Sequence, residues 1–117
     1  MINDFSATVI AEILKKRDIP IQSFDIEMLD FLSKQKKPLT IKKISEKAKL
    51  EENTVKFIIK RLEKMRLCES NSPSYKLTEA GKSLVELCYK LNGEIQNSIS
   101  KNDYASEISR MSKSIVG

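Results

Sequence analysis

Between residues 41 and 65 the apolar side chains follow a helical period twice, with a short break between the runs, and this spacing constrains the fold more than any other feature. Ile44 and Ala48 define the inward face of a short helix, Ile41 to Lys49, capped by Thr40. Lys49-Leu50-Glu51-Glu52 interrupts the pattern. Val55, Ile58, Ile59, Leu62 and Met65 then keep the 3.6-residue period through a longer helix, about Asn53 to Met65. A short helix, a tight turn and a longer helix with basic residues on its outer side form the helix-turn-helix arrangement.

The flanking segments extend the helical reading. Phe5, Val9, Ile10, Ile13 and Leu14 predict an amphipathic helix over residues 3–17, ended at Asp18-Ile19-Pro20 because proline disfavours helical geometry in the residue before it. Ser23 is the expected N-cap of a second helix, with Asp25 and Glu27 in its first turn. Ile26, Leu29 and Leu32 form its buried face, with Met28 and Phe31 beside them. Lys36-Lys37-Pro38 closes it. Leu67-Cys68-Glu69 and Tyr75-Lys76-Leu77 are β-prone, and Ser70-Asn71-Ser72-Pro73-Ser74 between them is turn chemistry, so the pair reads as a hairpin. Thr78 caps a fifth helix with the stripe Leu84, Leu87, Cys88, Leu91, Ile95 and Ile99. Asn102-Asp103 interrupts it, and Tyr104, Ile108, Met111 and Ile115 mark a sixth.

A length of 117 residues fits one domain, mainly α with a small β-hairpin. It divides into an N-terminal helix (1–19), a helix-turn-helix core with its hairpin (23–82) and C-terminal helices (83–117). The terminal stripes exceed what one small core covers. Phe5, Val9, Ile13, Leu91, Ile95, Ile99, Tyr104, Ile108, Met111 and Ile115 are therefore expected in a dimer interface, and 1–19 and 83–117 are read as dimerisation helices.

Composition narrows the function. The chain has no His, which removes the commonest general base, nucleophile partner and zinc ligand. Gly81, Gly93 and Gly117 stand alone, so there is no glycine-rich phosphate loop. A non-enzyme with no metal and no cofactor is the expectation. Cys68 and Cys88 are too far apart for metal-ligand spacing and read as small core residues, a redox switch being the alternative. No apolar run reaches the roughly 20 residues of a bilayer span, and the first residues lack a secretory pattern, so a cytoplasmic protein is expected.

Charge is concentrated. The net charge is +5, but residues 34–66 hold twelve basic against four acidic side chains, a local +8, and the remainder carries −3. A basic centre between mildly acidic arms fits a polyanion-binding surface; the bland alternative is a solvated lysine-rich face. Lys56, Lys60 and Lys64, at i, i+4 and i+8, form one stripe opposite Val55, Ile59 and Leu62. Phe57 falls on the outer side as well. Three readings stand for it: contact with a thymine methyl or the groove wall, a protein-docking patch, or a ring folded back on the neighbouring helix.

The run Leu39-Thr40-Ile41-Lys42-Lys43-Ile44-Ser45-Glu46-Lys47-Ala48, then Asn53-Thr54-Val55-Lys56, Arg61-Leu62-Glu63-Lys64 and Tyr75-Lys76-Leu77-Thr78-Glu79-Ala80-Gly81-Lys82, resembles a winged helix-turn-helix protein. With helices on both sides, the chain resembles the MarR family of multiple antibiotic resistance regulators across nearly its whole length; small archaeal winged-helix regulators are similar too. The resemblance implies a homodimeric transcription regulator binding double-stranded DNA, the terminal helices packing on the partner subunit and the fourth helix in the major groove. By position, Asn53, Thr54, Lys56, Phe57 and Lys60 would face the bases, and Thr40, Lys42, Arg61 and Lys64 the phosphates. It also implies a cleft able to hold a small apolar effector. Two positions depart from the family pattern. The wing tip, Ser70 to Ser74, holds no basic residue, leaving Lys76 as its cation, and Arg66 stands where the family often has a left-handed glycine. The other expectation, from a different class, is a winged-helix protein–protein adaptor using the face around Phe57.

Overall fold

A computed structural model of the chain describes residues 2–100, with side chains through residue 98. In order, the elements are α1 (Asp4–Lys15), α2 (Ser23–Ser33), β1 (Leu39–Thr40), α3 (Ile41–Ala48), α4 (Glu52–Lys64), β2 (Cys68–Asn71), β3 (Ser74–Leu77) and α5 (Glu79–Ser100). The sixth helix expected around Tyr104, Ile108, Met111 and Ile115 lies outside the described residues, as does the side chain of Ile99. Among the described residues no helix is long and apolar enough to cross a membrane.

α3 and α4 form where the apolar period places them. The Thr40 hydroxyl accepts from Lys43 N at 3.2 Å and caps α3. Lys49 ends that helix in the left-handed region, φ 57°. α4 buries Val55, Ile58, Ile59 and Leu62, each worth about 1.5–3 kcal/mol of burial. At its end Arg66 takes φ 60°, so an arginine occupies the left-handed position that glycine often fills, and the N–H of Leu67 closes back on the Leu62 carbonyl at 2.8 Å.

The hairpin is present and gains a strand. β3 pairs antiparallel with β2 and, on its other side, with β1, giving the order β1-β3-β2. Leu39 opposes Tyr75 and Thr40 opposes Ser74. A two-residue strand carries no alternation to read, so Leu39–Thr40 is legible only as a cap.

The junction of the wing with α5 explains the Leu-Thr-Glu-x-Gly-Lys run. Thr78 Oγ1 donates to the Arg66 carbonyl (2.6 Å) and accepts from Gly81 N (3.0 Å), while Thr78 N donates to the Leu67 carbonyl (3.1 Å). A Cβ at Gly81 would lie 2.1 Å from the Leu67 oxygen. Only glycine lets α5 start this close to the backbone that leaves α4.

α1 corrects the sequence reading. Its buried face is Ser6, Ala7, Ile10, Ala11 and Leu14, packed on α2 and α5. Phe5 is 61% exposed and Val9 and Ile13 are half-buried, so the expected stripe merges two faces of one helix. α5 buries Gly81, Val85, Cys88 and Leu91. Leu91, expected at a subunit interface, belongs instead to the chain's own core, because α5 packs back onto α1 and α2. Ile95 is half-buried.

Two buried carboxylates tie the helices together. Asp30 accepts from Ile2 N (3.3 Å), from the Tyr89 hydroxyl of α5 and from Lys34 Nζ (3.4 Å). Asp25, fully buried, accepts from Gln22 N at 2.9 Å, which makes Gln22 the N-cap of α2 in place of Ser23.

Candidate nucleic-acid interface

α4 is positioned by its apolar face. Val55 and Leu62 are fully buried and Ile59 nearly so, and this fixes the opposite side of the helix to solvent. On that side Asn53, Thr54, Lys56, Phe57, Lys60 and Lys64 are all exposed. The ~100° step per residue makes two neighbouring rows, Lys56-Lys60-Lys64 and Asn53-Phe57-Arg61, about 60° apart. Among the described residues, Lys56, Lys60 and Lys64 form no ion pair, and neither does Lys42 on α3. Uncompensated cations on one face are the arrangement that neutralises phosphates.

Arg61 departs from its expected role. Its Nε and Nη2 donate to Asp25 at 3.2 and 2.9 Å, and the side chain keeps only 30% exposure. The Nε and Nη2 edge of the guanidinium is taken by a buried carboxylate, so Arg61 fixes α4 onto α2. Above this pair the guanidinium carbon lies 5.4 Å from the Phe24 ring centroid and 6.0 Å from that of Phe57. The two rings are 6.1 Å apart, tilted by 41°. Phe57 is thus both exposed, at 57%, and in contact with its neighbour helix. Sequence reasoning missed Phe24 and Asp25 as parts of this cluster, since nothing in the residues links position 25 to position 61.

Lys76, the wing's cation, lies 3.7 Å from Glu69 across the hairpin, an exposed pair of small energy. Thr40 is half-buried at the start of α3, its oxygen accepting the capping bond. The two thiols are free and buried. Burial pushes both Cys68 and Cys88 up to about 11, so each is a protonated core side chain. No group of three or more His, Cys, Asp or Glu able to hold a metal occurs among the described residues.

A groove of about 600 Å³ separates the end of α2 from the wing and the start of α5. Leu32, Pro38, Leu77 and Val85 give it apolar walls, and Lys36, Lys76 and Glu86 are among its polar lining.

No protein-family model matches the sequence, and no curated protein sequence matches it. Solved structures do match. The apo form of MarR from E. coli aligns with TM-score 0.70 and 16% identity, covering 97% of this chain and 88% of that one. MepR, a transcription regulator of the Staphylococcus aureus multidrug efflux pump MepA, aligns with TM-score 0.66 and 20% identity over 94% and 88%. A MarR family protein of Mycobacterium tuberculosis in complex with DNA aligns with TM-score 0.66 and 14% identity over 97% and 88%. The helix order, the three-stranded wing and these likenesses agree: the chain has the winged-helix fold of MarR-family transcription regulators.

Proposed function

We propose that the protein is a cytoplasmic, homodimeric transcription regulator that binds double-stranded DNA sequence-specifically, with α4 in the major groove. One observation carries this reading: Lys56, Lys60 and Lys64 stand exposed and unpaired, among the described residues, on a helix whose other face is locked in the core. In this reading Asn53, Thr54, Lys56, Phe57 and Lys60 face the bases, Thr40, Lys42 and Lys64 meet phosphates, and Lys76 lies near the backbone beside the wing. The DNA complex of the M. tuberculosis protein and the regulator role of MepR support it. The chemistry is phosphate neutralisation and base-edge contact, with no bond made or broken.

The dimer rests on apolar surface that the subunit leaves open. Phe5, Val9 and Ile13 form an i, i+4, i+8 row on α1 outside its buried face, and Ile95 is half-covered on α5. Ile99, Tyr104, Ile108, Met111 and Ile115 would complete the interface. Two-fold symmetry would place two α4 helices ~34 Å apart, one DNA turn. A small apolar effector, as the resemblance implies, would lie in a cleft between the dimer helices and the DNA-binding lobe.

Selection of bound duplexes from a random pool at two salt concentrations tests the proposal. The expected product is a paired half-site spaced by one helical turn, recovered less well at high salt. The exposure of Phe57 and Phe24 favours a second reading, a protein–protein adaptor. Failure to enrich any duplex, together with a protein complex lost on Phe57→Ala, would select it.

A further inference from the structure

We infer that Phe57 reads the 5-methyl group of thymine in the major groove, its ring set for that contact by the Asp25–Arg61 ion pair. The inference rests on the DNA-binding reading above and adds the chemical group that is recognised. Phe57 is the large apolar side chain that α4 exposes, the helix's other large aliphatic side chains being buried. It lies one row from Lys56, Lys60 and Lys64, so whatever those cations bring to the helix also meets the ring. A protein partner with an apolar patch would have to settle among three uncompensated lysines, whereas a polyanion is drawn there by them.

Within a major groove the ring has few partners. It has no donor or acceptor for base edges, and the thymine methyl is the apolar group that a base presents there. The ring is also prepositioned. Arg61 lies 6.0 Å from its centroid and Phe24 6.1 Å, and Arg61 is held in turn by the fully buried Asp25, itself fixed by Gln22 N at 2.9 Å. Because Asp25 compensates the guanidinium, Arg61 acts on recognition through Phe57 rather than through a phosphate. Arg61 is a positioning residue; Phe57 is the contact.

The test uses the full chain and a selected duplex in which each thymine is replaced in turn by deoxyuridine, which removes the methyl and leaves the base-pairing groups intact. The wild type loses about four-fold in affinity at one or two positions per half-site, the ratio expected for one methyl's burial. Phe57→Ala binds the thymine and deoxyuridine forms equally at those positions, and Phe57→Leu keeps part of the difference. Arg61→Gln shrinks the thymine-to-deoxyuridine ratio while helix content by circular dichroism stays unchanged. A wild type indifferent to every replacement, or a Phe57→Ala protein with an undiminished ratio, overturns the inference while leaving DNA binding intact. An undiminished ratio in folded Arg61→Gln overturns the positioning role alone. Absence of binding to any duplex overturns the DNA reading itself.

Discussion

Asp25 has its carboxylate wholly out of water, and Arg61 and Gln22 N compensate that burial with four hydrogen-bond contacts at 2.9 to 3.3 Å. Removing one partner from such a pair costs about 3–5 kcal/mol when both are buried. Arg61 keeps some solvent contact, so Arg61→Met is expected near the lower end, about 3 kcal/mol in urea unfolding; a loss below about 1 kcal/mol would contradict the pairing. Glu27 presents the opposite case. Burial, then a hydrogen bond and the charge from Asp4, then the charge of Asp30, push its carboxyl up from 4.5 to about 7. The folded state therefore holds a proton that the unfolded chain releases near pH 4.5. This contribution to stability is full below pH 4.5 and is lost as pH rises through 7. Glu27→Gln should flatten the decline between those values, measured by unfolding at a series of pH values; an unchanged slope would exclude Glu27 as its source. Neither carboxylate announces itself in the sequence, where Asp25 and Glu27 look like ordinary first-turn acids.

At the scale of elements, what could be read depended on how many residues repeated the same signal. α4 offers four buried positions on one period, and its bounds fall within a residue of expectation. α1 offers apolar residues on two faces, and small Ser6, Ala7 and Ala11, which carry little hydrophobic signal, turned out to make the buried one. α5 is similar: Val85 and Gly81 are covered alongside Cys88 and Leu91, a stripe shifted from the leucine-based one. The resemblance placed Gly81 in a specific motif, but the reason became visible only with the Leu67 carbonyl beside it. Gly81→Ala should lower stability by about 1–3 kcal/mol, as overpacking does, because the clash is with backbone rather than a movable side chain. Urea denaturation reads it. A neutral substitution would mean that α5 is free to shift away from the wing. The candidate site was legible as a lysine row and an outward phenylalanine; its support by Phe24 and Asp25 was not, since it joins residues 36 apart in sequence.

For the whole molecule, the +8 centre coincides with the surface built by α3, α4 and the end of α2, while the uncovered apolar row of α1 lies on a different helix. Association with DNA and association with a second subunit therefore fall on separable surfaces in the proposed function. Phe5, at 61% exposure, is the place to separate them. Sedimentation equilibrium of the intact protein is expected to give about twice the 13.4 kDa chain mass, and Phe5→Glu to shift it toward the monomer without loss of helix content. A wild-type monomer at micromolar concentration would remove the dimer from the proposal. The most direct measurement on the central claim is fluorescence anisotropy of a labelled duplex against salt concentration for the wild type and Lys64→Ala, which removes a phosphate-facing cation of α4. Weaker binding by the variant, with a log–log slope shallower by about 0.9, is the predicted result. Identical affinity and slope in the two proteins would show that the outer face of α4 does not meet DNA.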